Sequence, residues 1–284
     1  MTDRQQAWLS PAKINLFLRI TGQRSDGMHE LQTAFQFIDL CDQLHIAVRE
    51  DGVITRTTEL PDVPDENDLC KRAAQLLKAH ADTALGAEIA LQKVIPIGGG
   101  LGGASSNAAT TLRVLNLLWD VGASPEELAV MAVSLGADVP VFIHGHAAWA
   151  EGIGEALSAI NPPEVYYLIA DAGVHVSTAE MFADSQLTRN SPTLTICDPE
   201  PGAMGNVFEP VVRARYPEID RVFNYLNRYS SPFLSGSGGC VVAAFESQAT
   251  AREVQSACPA EIATYLVKGR NESPLNNQLS EFAN

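Results

Sequence analysis

Apolar and polar positions alternate along residues 10–18, with Ala12, Ile14, Leu16 and Leu18 on one side and Lys13, Asn15 and Phe17 on the other. A period of two predicts a half-buried strand that carries Lys13 and Asn15 in the same direction. Taken alone, it is an ordinary strand with a solvated lysine. Leu31, Thr33, Phe35 and Phe37 predict a second strand, and residues 44–48 with the Asp51-Gly52 turn predict further hairpin strands. The turn-rich loop Gly22-Gln23-Arg24-Ser25-Asp26-Gly27-Met28-His29 lies between the first two strands. The period then changes. Asn67 stands as the cap of a helix running through Leu69, Ala73, Leu76, Leu77 and His80. Asp62, Asp65, Glu66 and Asp68 crowd its start, which suits a helix dipole and equally a solvated loop. Ile89 and Leu91 alternate as a strand, and Ala108, Leu112, Leu115 and Trp119 return to helical spacing.

Ser124-Pro125-Glu126-Glu127 is a capping box ahead of a buried stripe of Leu128, Met131, Ala132 and Leu135, and Gly136 ends that helix. Residues 141–143 predict a short apolar strand and residues 147–151 a hairpin strand. Asn161-Pro162-Pro163 stops local structure and divides the chain into residues 1–160 and 161–284. Beyond it, residues 165–170 predict a strand, and Ser177-Thr178-Ala179-Glu180 opens a short helix carrying Phe182. Residues 185–201 read as loop, and helical segments run from residue 205 to near Asn227. Leu234-Ser235-Gly236-Ser237-Gly238-Gly239-Cys240 leads into a strand at 241–245, followed by a helix near 249–257 and a strand near 265–267. The last ten residues are polar and are expected to be loose.

Between the strand of Ile89 and Leu91 and the helix of Ala108 stands Pro96-Ile97-Gly98-Gly99-Gly100-Leu101-Gly102-Gly103-Ala104-Ser105-Ser106, with five glycines in six positions. Glycine loses more entropy on ordering than any other residue, so the cluster needs a cause: φ angles closed to other residues, or close approach of bare backbone to something bound. Strand, glycine loop and helix N-terminus in that order make an anion site. A P-loop is excluded, because no Lys-Ser or Lys-Thr closes the motif. Gly98, Gly100 and Gly103 fit a dinucleotide fingerprint, but a helix rather than a strand follows the first helix. A phosphate loop of another kind, with serines at its end, remains.

With 284 residues, 46% of them apolar, the chain has enough length for one large or two ordinary domains. A net charge of −15 argues against a nucleic-acid partner, while an acidic protein still binds phosphorylated ligands through local donors and a metal ion. No apolar run reaches membrane-spanning length, and the polar start from Met1 to Gln6 lacks a signal-peptide core, so the cytoplasm is the expected compartment. Five scattered cysteines without a C-x-x-C pair predict reduced thiols. His144-Gly145-His146 lacks a further ligand at a plausible spacing and is not read as a metal pair.

The stretch at 96–106 closely resembles the ATP loop of the GHMP kinases, the family of galactokinase, homoserine kinase, mevalonate kinase and phosphomevalonate kinase. Pro11-Ala12-Lys13-Ile14-Asn15-Leu16 resembles the first motif of the members that act on a diphosphocytidyl sugar alcohol. Leu135-Gly136-Ala137-Asp138-Val139-Pro140 resembles the catalytic-aspartate segment, and the loop at 234–240 resembles the third motif, which lines the site from the smaller domain. Arg24, Asp26, Gly27 and His29 match a loop that in those members holds cytosine; Met28 stands where an aromatic residue is usual, and its thioether can still lie on a ring face.

The resemblance covers nearly the whole chain. It implies an α+β, two-domain GHMP kinase fold, with a ribosomal-protein-S5-domain-2-like ATP domain at 1–160 and a ferredoxin-like α+β domain at 161–284. The implied reaction is magnesium-dependent transfer of the ATP γ-phosphate to the 2-hydroxyl of 4-diphosphocytidyl-2-C-methyl-D-erythritol, in non-mevalonate isoprenoid biosynthesis. Asp138 is then the proton acceptor and Lys13 the cation at the transferring group. Residues 96–106 hold ATP. Asn15, Met28, His29, Phe182 and Gly238 contact the substrate, with Phe182 over the second face of the cytosine. For magnesium, the sequence leaves Ser105 and Ser106 both open. Two further readings stay open: another GHMP kinase of mevalonate or homoserine type, against which the 24–29 loop speaks, and a non-catalytic small-molecule binder, against which Lys13 with Asp138 speaks. The expected state is a monomer or weak homodimer whose partner is the small-molecule substrate, with neither nucleic acid nor membrane.

Overall fold

The computed structural model describes residues 6–58 and 63–283; the readings made at Met1 to Gln6 (all but its last residue), at Asp62 and at the final residue lie outside them. Two long antiparallel strands, β1 (Trp8–Gln23) and β2 (His29–Arg49), form the spine, in register from Trp8 with Leu44 to Gln23 with His29. The register shifts between Pro11 and Lys13 and again between Asn15 and Phe17. Such irregularities re-aim side chains, and these two bracket Lys13 and Asn15. Both faces of β1 are covered, so Lys13 is 2% exposed rather than solvated.

β3 (Ile54–Arg56) lies parallel to β4 (Gly86–Gln92), with α1 (Leu69–Ala81) between them in sequence. Asp68, not Asn67, caps α1, accepting from the backbone N–H groups of Cys70 and Lys71 at 2.9 and 3.4 Å. Asn67 closes a short 3₁₀ turn instead, so two adjacent residues of capping type divide the work differently. α2 (Gly103–Leu118) and α3 (Pro125–Val133) follow as the periodicity predicts, α3 with its full capping box. The apolar run expected as a strand at 141–143 is helical, α4 (Val139–His144). A short run buried on every side shows neither period, and Pro140 at its first turn with Gly145 in the left-handed region after it fits a single helical segment. The strand at 147–151 accordingly makes its hairpin with residues after it: β5 (Ala148–Glu151) pairs with β6 (Ala156–Ala159) and with β2.

The second half brings β7 (Tyr166–Asp171), α5 (Thr178–Ala183), α6 (Glu209–Arg215), α7 (Pro217–Leu226), β8 (Phe233–Leu234), β9 (Cys240–Phe245), α8 (Gln248–Ser256), β10 (Ala263–Arg270) and α9 (Pro274–Phe282). β10 runs antiparallel to β7 and then pairs Gly269 and Arg270 with Ile38 and Phe37 of β2. One sheet in the order β3-β4-β2-β10-β7-β9-β8 therefore joins the halves. A buried knot seals the join: Tyr167 Oη donates to Gln36 Oε1 at 2.7 Å, and Gln36 Nε2 donates to Asn271 Oδ1 at 3.0 Å and to the Pro163 carbonyl at 3.2 Å. Gly269 passes this knot where a Cβ would come within 2.9 Å of both Gln36 and Tyr167.

The tail expected to be loose is α9. Its polar composition hides one buried leucine, Leu275 at 1% exposed, and a side chain that binds the first strand. Gln278 accepts from Leu9 N–H at 2.7 Å and donates to the Ala7 carbonyl at 2.9 Å, while Phe282 packs on Trp8 with ring centroids 5.2 Å apart. All five cysteines are free thiols. No helix among the described residues is long and apolar enough to cross a membrane. Removing the buried leucine should open a cavity: Leu275→Ala is expected to lower unfolding free energy by about 2–5 kcal/mol in a denaturant titration, whereas a change within error would mean that α9 does not dock.

Candidate active site

The site grows from the buried ammonium of Lys13. Its Nζ donates to Asn15 Oδ1 at 2.6 Å and to the Gly100 carbonyl at 3.1 Å, and it pairs with Asp138 Oδ2 at 3.1 Å. The Lys13 backbone N–H also donates to the Leu101 carbonyl at 3.0 Å. Phe35 lies under the ammonium, 5.1 Å from ring centroid to Nζ. Asn15 is held in turn, because its Nδ2 donates to Thr33 Oγ1 at 2.8 Å. Asp138 occupies the N-cap of α4 but makes no capping hydrogen bond; its carboxylate turns to Lys13, with its side chain 37% exposed. A turn aspartate in a merely structural role would satisfy the helix end instead.

The two glycine loops lie back to back. A Cβ on Gly100, which has φ +77°, would fall 2.0 Å from the Ser235 carbonyl oxygen. One on Gly238 would fall 2.2 Å from the Gly100 nitrogen. Ser235 clasps the pair: its hydroxyl accepts from Asn15 N–H at 3.2 Å and donates to the Gly100 carbonyl at 3.1 Å. Asn206 Nδ2 holds the second loop from behind through the Leu234 and Gly236 carbonyls, both at 2.8 Å.

The stems of the first loop are tied by Asp42, which is fully buried. It accepts from Val94 N–H at 2.7 Å, Ile95 N–H at 2.8 Å, Lys93 Nζ at 2.7 Å and Asn107 Nδ2 at 3.0 Å. Ser106 belongs to this interior network, its hydroxyl receiving Ser10 Oγ–H at 2.8 Å. Ser105 faces the cleft instead, beside Gly102 at the start of α2.

That cleft encloses about 710 Å³. Lys13, Asn15, Gly100, Gly102, Ser105 and Asp138 line one end. Gly27, Met28, His29 and Phe182 line the other, with Phe208. The His29 and Phe182 rings stack on each other, centroids 4.9 Å apart and planes 28° apart, and Phe208 meets Phe182 edge-on at 5.0 Å. His29 Nε2 accepts from Arg189 Nε–H at 3.3 Å, which leaves the ring proton on Nδ1. Burial, and then the Arg189 cation, hold the His29 pKa below its ordinary value.

Of the residues singled out in the sequence, Lys13, Asn15, Met28, His29, Gly100, Gly102, Ser105, Asp138 and Phe182 share this one cleft. Gly236 and Ser237 line it from the second loop, while Gly238 packs against the first. Leu101 is core at 1% exposed, and Ile97 and Ala104 are exposed on the outside of the loop. The sequence reading missed Thr33, Ser235, Phe208 and Arg189. Ser235 stood inside a glycine loop already noticed; Arg189 offered no local signal, since its partner is 160 residues away.

Models of the GHMP kinases match the chain in two places, the N terminal domain at residues 68–146 and the C terminal at 198–263. A 4-diphosphocytidyl-2-C-methyl-D-erythritol kinase of Aliivibrio fischeri is 44% identical over 99% of this chain and 98% of its own. The crystal structure of a 4-(cytidine 5'-diphospho)-2C-methyl-D-erythritol kinase superposes with a TM-score of 0.81 at 30% identity, covering 93% of this chain and 99% of that one. The Methanococcus jannaschii mevalonate kinase shares the fold at a TM-score of 0.69 and 16% identity, covering 94% of this chain and 98% of its own.

The apposed loops make a direct prediction. Gly238→Ala needs no unusual φ, so its cost is steric alone: the glycine loops must part, and stability should fall by about 1–3 kcal/mol or more in chemical denaturation. An alanine variant as stable as the parent would mean that the loops are not in contact.

Proposed function

The chain belongs to the GHMP kinases, and we propose that it transfers the γ-phosphate of ATP to the 2-hydroxyl of 4-diphosphocytidyl-2-C-methyl-D-erythritol, releasing ADP and the 2-phosphate. The observation that carries the reading is the single cleft. At one end a cation–carboxylate pair meets a glycine loop at a helix N-terminus; at the other, aromatic and thioether groups suit a planar base. Such a cleft suits a substrate with an alcohol at one end and a nucleobase at the other.

In this mechanism Asp138 accepts the proton of the attacking hydroxyl as the new O–P bond forms and the bond from the γ-phosphorus to the bridging oxygen of ADP breaks. Lys13 places a positive charge beside the transferring group from a buried position, where water screens it weakly. Asn15 spends its carbonyl oxygen on Lys13 and one amide hydrogen on Thr33. It therefore fixes the ammonium and retains one amide hydrogen for the substrate. The backbone of residues 98–103 and the start of α2 receive the phosphates. Met28, His29 and Phe182, which line that end of the cleft together, receive the cytosine.

Magnesium suits this site as an ion carried in by the nucleotide. Among the described residues no group of three or more His, Cys, Asp or Glu could hold a metal. Ser105 and Asp138 offer hard oxygen atoms on the cleft wall, the sparse protein donor set that a phosphate-bound magnesium uses. Bound there, the ion would neutralise charge on the phosphates. We further propose that residues 1–160 and 161–284 act as two domains whose join the final strand and helix span. The chain works in the cytoplasm as a monomer or weak homodimer.

Asp138→Asn should still fold, because an amide oxygen remains as an acceptor for Lys13 while the counter-charge is lost; its melting temperature should fall modestly, and kcat should fall by about 10²–10⁴-fold, the usual effect of removing a positioned base. Retention of more than about a tenth of the turnover would assign Asp138 a structural role.

The reading itself is tested by ADP release with the diphosphocytidyl substrate, its uridine counterpart, mevalonate and homoserine. Cytosine presents a donor at N4 and an acceptor at N3, and uracil reverses both. Mispaired buried groups should lower kcat/KM for the uridine form by about 10²-fold or more. Comparable values for the two nucleotides would overturn base recognition, and preferred turnover of mevalonate or homoserine would move the chain to another branch of the family.

A further inference from the structure

Between α5 and α6, residues 184–201 carry no regular structure, yet they are strapped to the first two strands. Leu194 N–H donates to Gln32 Oε1 at 2.8 Å, and Gln32 Nε2 returns to the Leu194 carbonyl at 3.1 Å. Ser191 N–H donates to the Ile20 carbonyl at 2.8 Å, and Leu187 is 4% exposed. The strap delivers Arg189 to the base end of the cleft. There its Nη2 donates to the Phe182 and Asp184 carbonyls at 2.6 and 2.8 Å, its Nη1 to the Leu187 carbonyl at 3.1 Å, and its Nε to His29 Nε2 at 3.3 Å.

Two of these bonds, to Phe182 and Asp184, secure the end of α5, where carbonyls lack helical partners and a cation is favoured, and a third closes the strap on Leu187. The bond from Nε is different in kind. It reaches a ring in the first half of the chain, and that ring stacks on Phe182. One guanidinium thus holds the backbone of Phe182 and the ring of His29 together in a fixed planar fork.

Resting on the function proposed above, we infer that Arg189 is a positioning residue for the nucleobase: it locks His29 in one tautomer and keeps Phe182 against it, and so sets affinity for the nucleotide substrate without entering phosphoryl transfer. With Nε2 occupied as an acceptor, His29 presents its ring hydrogen only at Nδ1. A protonated His29 would turn an N–H against the N–H of Arg189, so the pairing admits the neutral ring alone. On the His29 loop Arg24 and Asp26 pair with each other at 3.1 Å, and at the end of α5 Asp184, whose carbonyl holds the same guanidinium, pairs with Arg215 at 3.5 Å.

The test compares the parent protein with Arg189→Gln and Arg189→Ala. Steady-state kinetics are read for both substrates, and ¹⁵N spectra of the His29 ring are assigned against His29→Gln. In the parent, His29 should show a single tautomer protonated at Nδ1. In both variants KM for the diphosphocytidyl substrate should rise about ten-fold, the scale of one charge-assisted hydrogen bond lost with the order it imposes. KM for ATP and kcat should stay within about three-fold, because the contacts at Lys13 and the glycine loops are untouched. The variant spectra should show tautomer exchange. Equal rises in both KM values, or a His29 tautomer identical in parent and variants, would overturn the inference. If neither variant folds, the parent spectrum still decides: a mixed tautomer, or one protonated at Nε2, refutes the lock. If the parent shows no preference for the cytidine substrate, the functional reading fails, and the spectra judge the hold of Arg189 on His29 separately.

Discussion

The rest of the site depends on one buried charge. An ammonium at 2% exposure is tolerable only where acceptors replace its water shell, and Lys13 finds three of them on three separate segments. Asn15 comes from the same strand, Gly100 from the first glycine loop, and Asp138 from the start of α4. The cost of stranding the charge therefore acts on all three segments at once. Any displacement of the loop or of α4 from β1 would leave a donor unsatisfied. The bulges on either side of Lys13 and Asn15 allow this by turning both side chains out of strict register toward the acceptors. In this sense the strand geometry and the electrostatics are a single constraint.

The same constraint explains where glycine is needed. The loop could be glycine-rich because a ligand must approach its backbone, or because its own chain must. At Gly100 and Gly238 the second cause is visible, since the space a Cβ would fill is occupied by the backbone of the opposite loop. Apposition of two bare backbones places the Gly100 carbonyl between the hydroxyl of Ser235 and the ammonium of Lys13. Gly100 and Gly102 still line the cleft, so packing against the second loop and an open face toward the cleft are combined in one stretch of backbone. Behind the loop, Asp42 performs a similar task, gathering donors from both of its stems at full burial.

Much of this was legible in the sequence, for a physical reason. Strand alternation around Lys13, the glycine cluster ahead of a helix, and Asp138 before Val-Pro are local patterns, and local patterns survive in one dimension. The misreadings share a cause too. The residues at 141–143 form a helix because burial on all sides erases the period that would distinguish it, and α9 was hidden because a single buried leucine is too few to make a stripe. The strand alone suggests a solvated lysine on β1, whereas the family resemblance places Lys13 in a site; Lys13 is buried because the second face of the strand is covered by distant segments. Arg189, Ser235 and Thr33 act across sequence gaps that no window spans. Which of Ser105 and Ser106 faces the cleft likewise depends on Ser10, nearly a hundred residues away, which draws Ser106 inward.

The two ends of the cleft are built by different means. At the end proposed for phosphoryl transfer, Lys13, Asp138 and the first glycine loop belong to the first half of the chain and are held together by buried charge. At the base end, His29 comes from the first half and Phe182 from the second, and the contacts that join them are a ring stack and one guanidinium on an irregular strap. Met28, 47% exposed, closes that end with a flexible thioether. An unbranched side chain with a polarizable sulfur adapts to a ring face but specifies its position less sharply than a second ring. Positional precision at the base end must then come from the partners of the opposite wall, Phe182 and His29. On the proposed function, the residue fixing those two would carry more of the discrimination here than it would beside an aromatic at position 28. Chemistry and selectivity are in this way assigned to separate constraints, and a substitution in the strap can alter the second while leaving the first intact.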